Sequence, residues 1–140
     1  MNKRRIHSKG DYRYEEFVAG EAGIYPGMLL YVFAGGTVKM HASDSAITEK
    51  LFALEDALQG KSVADVYAIG SIVPCIIPAV GSVVNALITA GQDIAIGDKV
   101  VSDGNGCLKE GSTVVLGIAE EVLDLTDSGD SNDLCPIRIV

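Results

Sequence analysis

The sequence predicts an all-β, mainly antiparallel fold: a small β-barrel or sandwich with two related hairpin units and an extended N-terminal arm. Three observations carry this. The composition has sixteen Gly and no Trp, and it is rich in Val and Ile, which favours short strands and tight turns over helices. Ile24 to Lys39 reads strand–turn–strand: Met28–Phe33 is apolar, Gly35-Gly36 signals a turn, and Thr37–Met40 begins the return. The same pattern recurs without a gap 70 residues later, from Ile94 to Lys109. There Ile24, Gly27, Gly36 and Lys39 meet Ile94, Gly97, Gly106 and Lys109, and apolar Leu30 and Val38 meet Val100 and Leu108. A looser echo, Leu51-Phe-Ala-Leu-Glu-Asp against Leu116-Gly-Ile-Ala-Glu-Glu, follows each copy. The hairpins Met28–Met40 and Lys99–Lys109 are therefore expected to superpose.

Residues 1–20 form the arm, ahead of a β-barrel domain spanning 21–140. Residues 1–14 hold Lys3, Arg4, Arg5, Lys9 and Arg13 against Asp11, a net +4, so the remainder carries −12 of an overall −8. A basic arm on an acidic body points to an arm that reaches for an acidic surface. Tyr12, Tyr14 and Phe17 are spaced along it and supply apolar area for a segment that lies along a neighbour or its own barrel. Such an arm is expected to be poorly ordered alone and to order on a partner.

The first hairpin, over residues 21–41, is entered through Gly23 and a Tyr25-Pro26-Gly27 turn and leads into a polar loop, His41-Ala-Ser-Asp-Ser. Residues 46–58 read two ways. Ile47, Leu51, Leu54 and Leu58 have helical spacing with Ser45 as a cap, whereas the echo favours a strand at Leu51–Asp56. Gln59–Ser62 is a loop and Val63–Tyr67 a short turn or helical piece. Ile72–Ile77 and Val83–Thr89 are core strands separated by Ala79-Val80-Gly81-Ser82. Pro74 and Pro78 donate no ladder hydrogen bond, which predicts an edge or a bulge there. Asp103-Gly-Asn-Gly is the second hairpin's turn, Thr113–Leu125 a long strand, Thr126–Asp133 a polar loop and Leu134–Val140 the closing strand.

A chain of 140 residues without a dividing linker fits one domain, with an aliphatic core. Cys75, Cys107 and Cys135 are odd in number and lack C-x-x-C spacing, which argues against a disulfide framework or a zinc site and for reduced, semi-buried thiols of an intracellular product. The basic N-terminus lacks the apolar run of a signal peptide. No charge occurs from Val66 to Gln92, but Gly70, Pro74, Pro78, Gly81 and Asn85 interrupt it too often for a spanning helix, so three short buried strands are expected.

The search for reactive chemistry yields no catalytic, cofactor or metal site. Gly60-Lys61-Ser62 ends like a P-loop, but Glu55 stands where the motif needs its first Gly. Asp103-Gly-Asn105-Gly resembles the head of a calcium loop, yet Cys107 and Lys109 occupy ligand positions. Asp124, Asp127, Asp130 and Asp133 recur every third residue and read as a solvated loop. His7 and His41 are the two histidines; without a G-x-S-x-G elbow, His41 reads as a loop or interface residue rather than a base. The acidic body argues against nucleic-acid binding.

Several short segments together resemble the decoration, or cement, proteins of tailed-phage capsids. They are Gly23-Ile-x-Pro-Gly27-Met-Leu, Val38-x-x-His41-Ala, Phe52-Ala-Leu-Glu-Asp56, Leu58-Gln-Gly60-Lys61 and Asp65-x-Tyr67-Ala-x-Gly70. The series continues through Val84-Asn-Ala-Leu, Ala90-Gly-Gln, Gly97-Asp-x-Val100 with Ser102, Gly104-x-Gly106-x-Leu108, and Gly117-Ile-Ala-Glu120 with Asp124. The resemblance covers the chain from about residue 20 onward. It departs from the family's Gly-rich loop at Ser43-Asp-Ser-Ala. It implies a virion protein made in the host cytoplasm that binds the outer surface of an assembled shell as a homotrimer and cements neighbouring major capsid protein subunits. It implies no cofactor and no reaction, and the residues themselves lead to no expected nucleic-acid or membrane partner. The alternatives are another virion barrel, such as a head-fibre base or tail adaptor, and a small ligand-binding or enzymatic barrel using His41 and the Asp-rich loop.

Overall fold

A computed structural model describes residues 4–43 and 49–140. The described residues form thirteen strands: β1 (His7–Lys9), β2 (Tyr12–Ala19), β3 (Leu29–Phe33), β4 (Thr37–Met40), β5 (Leu51–Ala53), β6 (Ile72–Pro78), β7 (Val83–Ile88), β8 (Asp93–Ile94), β9 (Lys99–Ser102), β10 (Leu108–Glu110), β11 (Gly117–Ala119), β12 (Leu123–Asp124) and β13 (Asp133–Ile139). Two single 3-10 turns, Ala34–Gly36 and Ala57–Gln59, are the helical elements among them.

These strands close two rings of the same connectivity. The first barrel runs β2-β4-β3-β5-β6 and back to β2. The second runs β7-β10-β9-β11-β13, with β13 pairing back to β7. All pairings are antiparallel except β2–β4 and β7–β10, which occupy the same place in each ring. Closure removes the unpaired edges that an open sheet of short strands would expose. The four-residue Ala79–Ser82 connection joins the barrels, where the sequence reading placed a break between core strands.

The 70-residue echo is structural. Leu30 faces Met40, Tyr31 faces Lys39 and Val32 faces Val38 in the first hairpin; Val100 faces Glu110, Val101 faces Lys109 and Ser102 faces Leu108 in the second. Both strands of each pair are shifted by 70, so pairing register is preserved as well as topology. The repeat continues with small changes of offset. Ala53 faces Cys75 as Ala119 faces Ile137, which makes Pro74 the counterpart of Pro136. Leu54 N–H donates to Pro74 O at 2.8 Å and Glu120 N–H to Pro136 O at 2.9 Å. The looser echo runs one residue out of step, because Leu30 faces Leu51 while Val100 faces Gly117.

The core is mainly aliphatic, with Leu29, Leu30, Leu51 and Ile76 fully buried in the first barrel beside the aromatic Phe52, and Ile88, Leu108, Leu116 and Ile137 in the second. None of the three cysteines forms a disulfide, and all are buried, not half-buried. Burial pushes the Cys75 and Cys107 thiols up to about 12, because an ionised thiolate loses its hydration there.

Four expectations are corrected. Strand β6 is not an edge: it pairs without a bulge to β2 from Tyr12–Pro78 to Val18–Ile72 and also to β5. Of its two prolines, Pro74 is accommodated because the Leu54 carbonyl, which an N–H at position 74 would meet, accepts the Tyr67 hydroxyl at 2.5 Å. Thr113–Leu125 is not one strand. Chain direction changes after Ala119, and Leu123–Asp124 pairs with Asp93–Ile94 instead. The uncharged stretch supplies two strands, β6 and β7, rather than three. Within 46–58 the strand reading is correct but shorter, Leu51–Ala53, followed by the Ala57–Gln59 turn; Ser45 and Ile47 lie outside the described residues.

The fourth correction concerns the N-terminal stretch. It is extended, but it is built into both barrels. Residues Tyr12–Val18 pair with β6, and β1 adds to the outer edge of β7, facing Val83 and Val84. Ile6 is fully buried; its carbonyl accepts Asn85 N–H at 2.7 Å and its N–H donates to Glu55 at 3.0 Å. Asp11 O accepts both the Ser82 hydroxyl and Ala79 N–H, at 2.8 and 2.9 Å. Phe17 packs against the barrel, one of the two places the spaced aromatics allowed, but the weight given to net charge hid the buried Ile6 and Ala19 that hold the stretch down.

Candidate interaction surface

The extended N-terminal residues divide by the face of the sheet they occupy. Tyr12 and Tyr14 point outward from β2 and remain 46% and 48% exposed, whereas Phe17 packs partly buried against the core. Arg4, Arg5, Lys9 and Arg13 are exposed; Lys3 lies outside the described residues. Arg13 is engaged within its own strand, 2.5 Å from Glu15. The Tyr14 hydroxyl donates to Glu16 at 2.9 Å, and burial together with that bond pushes its phenol up to about 12.

Arg5, Tyr12 and Tyr14 come together around a surface groove of about 320 Å³, whose floor includes Leu54 and Pro74. Its rim is Leu58, 97% exposed on the Ala57–Gln59 turn, with Glu55 and Asp56 behind it. Lys9, Arg13 and Phe17 are not part of this lining. Sequence reasoning missed Leu58 and Pro74. Leu58 belongs to the helical-spacing alternative with Leu51 and Leu54 and lies just past the favoured strand at Leu51–Asp56, so nothing local marks it as exposed.

Two further groups of apolar side chains are exposed. Val66, Ile69 and Ile72 are 49%, 67% and 52% exposed beside a hollow of about 410 Å³ lined by Asp56, Lys61 and Tyr67. At the tip of the first hairpin, Val32 and Phe33 are 44% and 46% exposed, with Lys39 Nζ 4.1 Å above the Phe33 ring. Apolar side chains exposed in clusters, rather than singly, mark surfaces for covering by another molecule.

The histidine and aspartates with reactive side chains take structural places. His41 is 6% exposed, its Nδ1 3.0 Å from the buried Ser102 hydroxyl, and its ring meets Tyr31 edge-on. Because His41 belongs to the first barrel and Ser102 to the second, the pair pins the joint between them. The expectation of a loop or interface residue thus resolves to an internal interface. Asp124 accepts the Thr126 N–H and hydroxyl, which hold its carboxyl below the usual range, and Asp130 accepts Asp127 N–H. Asp103 caps its turn by accepting from Asn105 and Cys107, as expected of a hairpin. Among the described residues no helix is long and apolar enough to cross a membrane.

The class defined by this geometry is a tandem of two five-stranded barrels, each closed by its first and last strands and docked through glycine turns. Among solved structures, the head fibre gp8.5 N base of bacteriophage phi29 is similar: TM-score 0.61 and 15% identity, over 93% of this chain and 95% of that one. At that identity the likeness is one of fold. Neither a protein-family model nor a curated protein sequence matches the chain.

Proposed function

We propose that this chain is a structural, non-enzymatic component of a phage virion, made in the host cytoplasm and carried on the outer surface of the head. The observation that carries the reading is the fold likeness to a phage head fibre base along nearly the whole of both chains. The decoration-protein resemblance of the sequence points the same way, and so do the exposed apolar patches. A protein that adds contact area between shell subunits needs such surfaces and no reaction centre.

Within that role two readings stand side by side. In the first, the chain is a homotrimeric cement that bridges neighbouring major capsid protein subunits. In the second, which the phi29 likeness favours, it is the base on which a head fibre stands. Cosedimentation of the purified chain with assembled heads tests the shared claim: saturable binding is expected, and no binding at any concentration would overturn it. Heating decorated and bare heads separates the two readings. A cement raises the temperature of shell disruption, while a fibre base leaves it unchanged.

A further inference from the structure

The joint between the two barrels is made by one end of the first on one face of the second. Leu87 N–H donates to Gly27 O at 3.0 Å, Leu29 N–H to Gly106 O at 2.7 Å, and Gly106 N–H to His41 O at 3.1 Å. Leu87 and Leu134, beneath the Pro26-Gly27 turn, are 7% and 4% exposed. A Cβ on Gly27 would meet Leu134 at 2.7 Å, and one on Gly106 would meet Met40 and Met28 at 3.1 and 3.2 Å.

The repeat gives each of these residues a counterpart, and the counterparts are uncovered except for a half-buried Val18. Pro26-Gly27 corresponds to Ile96-Gly97, Leu87 and Leu134 to Val18 and Ile72, and Gly106 to Gly36. Ile96 and Ile72 are 68% and 52% exposed, and a Cβ on Gly97 or Gly36 meets nothing within 4 Å. Each chain thus holds one completed joint and, at opposite ends, the two halves of another.

We propose that the Ala95–Asp98 turn of one copy seats on the first barrel of a second copy, over Val18 and Ile72 and beside Val32. The joint that docks the barrels within a chain is then repeated between chains. This contact is heterologous, so it generates a ring where its rotation closes. The same register places Lys99 on the inserting side and Glu16, where the internal joint has Asn85, on the receiving strand. Asp98, Lys99 and Glu110 occupy the places of Met28, Leu29 and Met40. A joint that forms only after folding must leave both halves soluble beforehand, whereas the internal joint is never exposed.

The inference deepens the self-assembly in the reading above and rests on that reading only for the number of copies. Its test uses the full chain without particles, so its failure is separable from failure to bind heads. Sedimentation should show a multimer that Ile96→Asp or Ile72→Asp each converts to monomer, with circular dichroism unchanged. An Ile96→Cys protein mixed with an Ile72→Cys protein should form a disulfide-linked pair on oxidation that neither forms alone. A native chain that stays monomeric at high concentration would overturn the proposal. A multimer indifferent to both aspartates, with no mixed disulfide, would overturn it equally.

Discussion

At the scale of single residues, the repeat offers paired experiments in which conformation is the same and surroundings differ. Gly27 and Gly97 have φ of +88° and +92°, but Leu134 and the β7 backbone crowd only Gly27. Gly97→Ala should cost the backbone strain, about 1–2 kcal/mol. Gly27→Ala should add overpacking of about 1–3 kcal/mol to that, read from denaturant midpoints. The thiols give a second expectation. Cys75 and Cys107 are pushed from the usual 9.0 to about 12, so the folded chain holds those protons where the unfolded chain releases them. Stability from this source is intact below about pH 9 and falls as pH rises toward 12. Native protein should resist thiol reagents at pH 8 and react only on unfolding; fast labelling of the native state would contradict the burial. Little of this was legible. Glycine content and the turn positions were, because left-handed turns select glycine by backbone sterics alone. That one glycine of a pair is crowded depends on the neighbouring barrel, which no local pattern records.

At the scale of elements, the hairpins were legible and the N-terminal stretch was not. Alternating apolar residues around a glycine turn specify a hairpin locally, and the gapless 70-residue offset carried the register with it. The stretch before residue 20 showed charge and no period, since β1 contributes to one barrel and β2 to the other, each only partly buried. Its contribution to folding is therefore testable. Deleting residues 1–11 removes Ile6 and strand β1 and should lower stability sharply rather than leave the body intact. Ile6→Ala alone should cost about 2–5 kcal/mol, while Arg4→Ala should stay within about 0.5 kcal/mol. A thermal melt of the truncated chain that matches the native one would show the stretch to be a free arm after all. The edge predicted from Pro74 failed for an instructive reason. Part of a proline's cost inside a sheet is the facing acceptor left without a donor, and the Tyr67 hydroxyl, from a separate loop, removes that part at Leu54.

At the scale of the molecule, duplication explains most of what the sequence showed and part of what it hid. Two barrels of one topology account for the echo, the absence of a linker and the aliphatic core. They also account for the paired prolines at 74 and 136, which the sequence reading did not align because the offset there has changed from 70 to 62. The surface was the least legible layer: Tyr12 and Tyr14 stood out among charges, but exposed Ile72 lies in a stretch that reads as a core strand and exposed Leu58 carries no local mark. Truncating Tyr12 and Tyr14 together to Ala should weaken attachment to heads by more than Lys9→Ala does, and the contrast should grow with salt, because aromatic burial is unscreened. The central claim, that this tandem barrel is a component of the phage head's exterior, is tested most directly by a cryo-electron reconstruction of heads saturated with the purified chain. The account predicts density for two tandem barrels on the outer surface, touching major capsid protein. Heads that remain bare, or density confined to the interior, would contradict it.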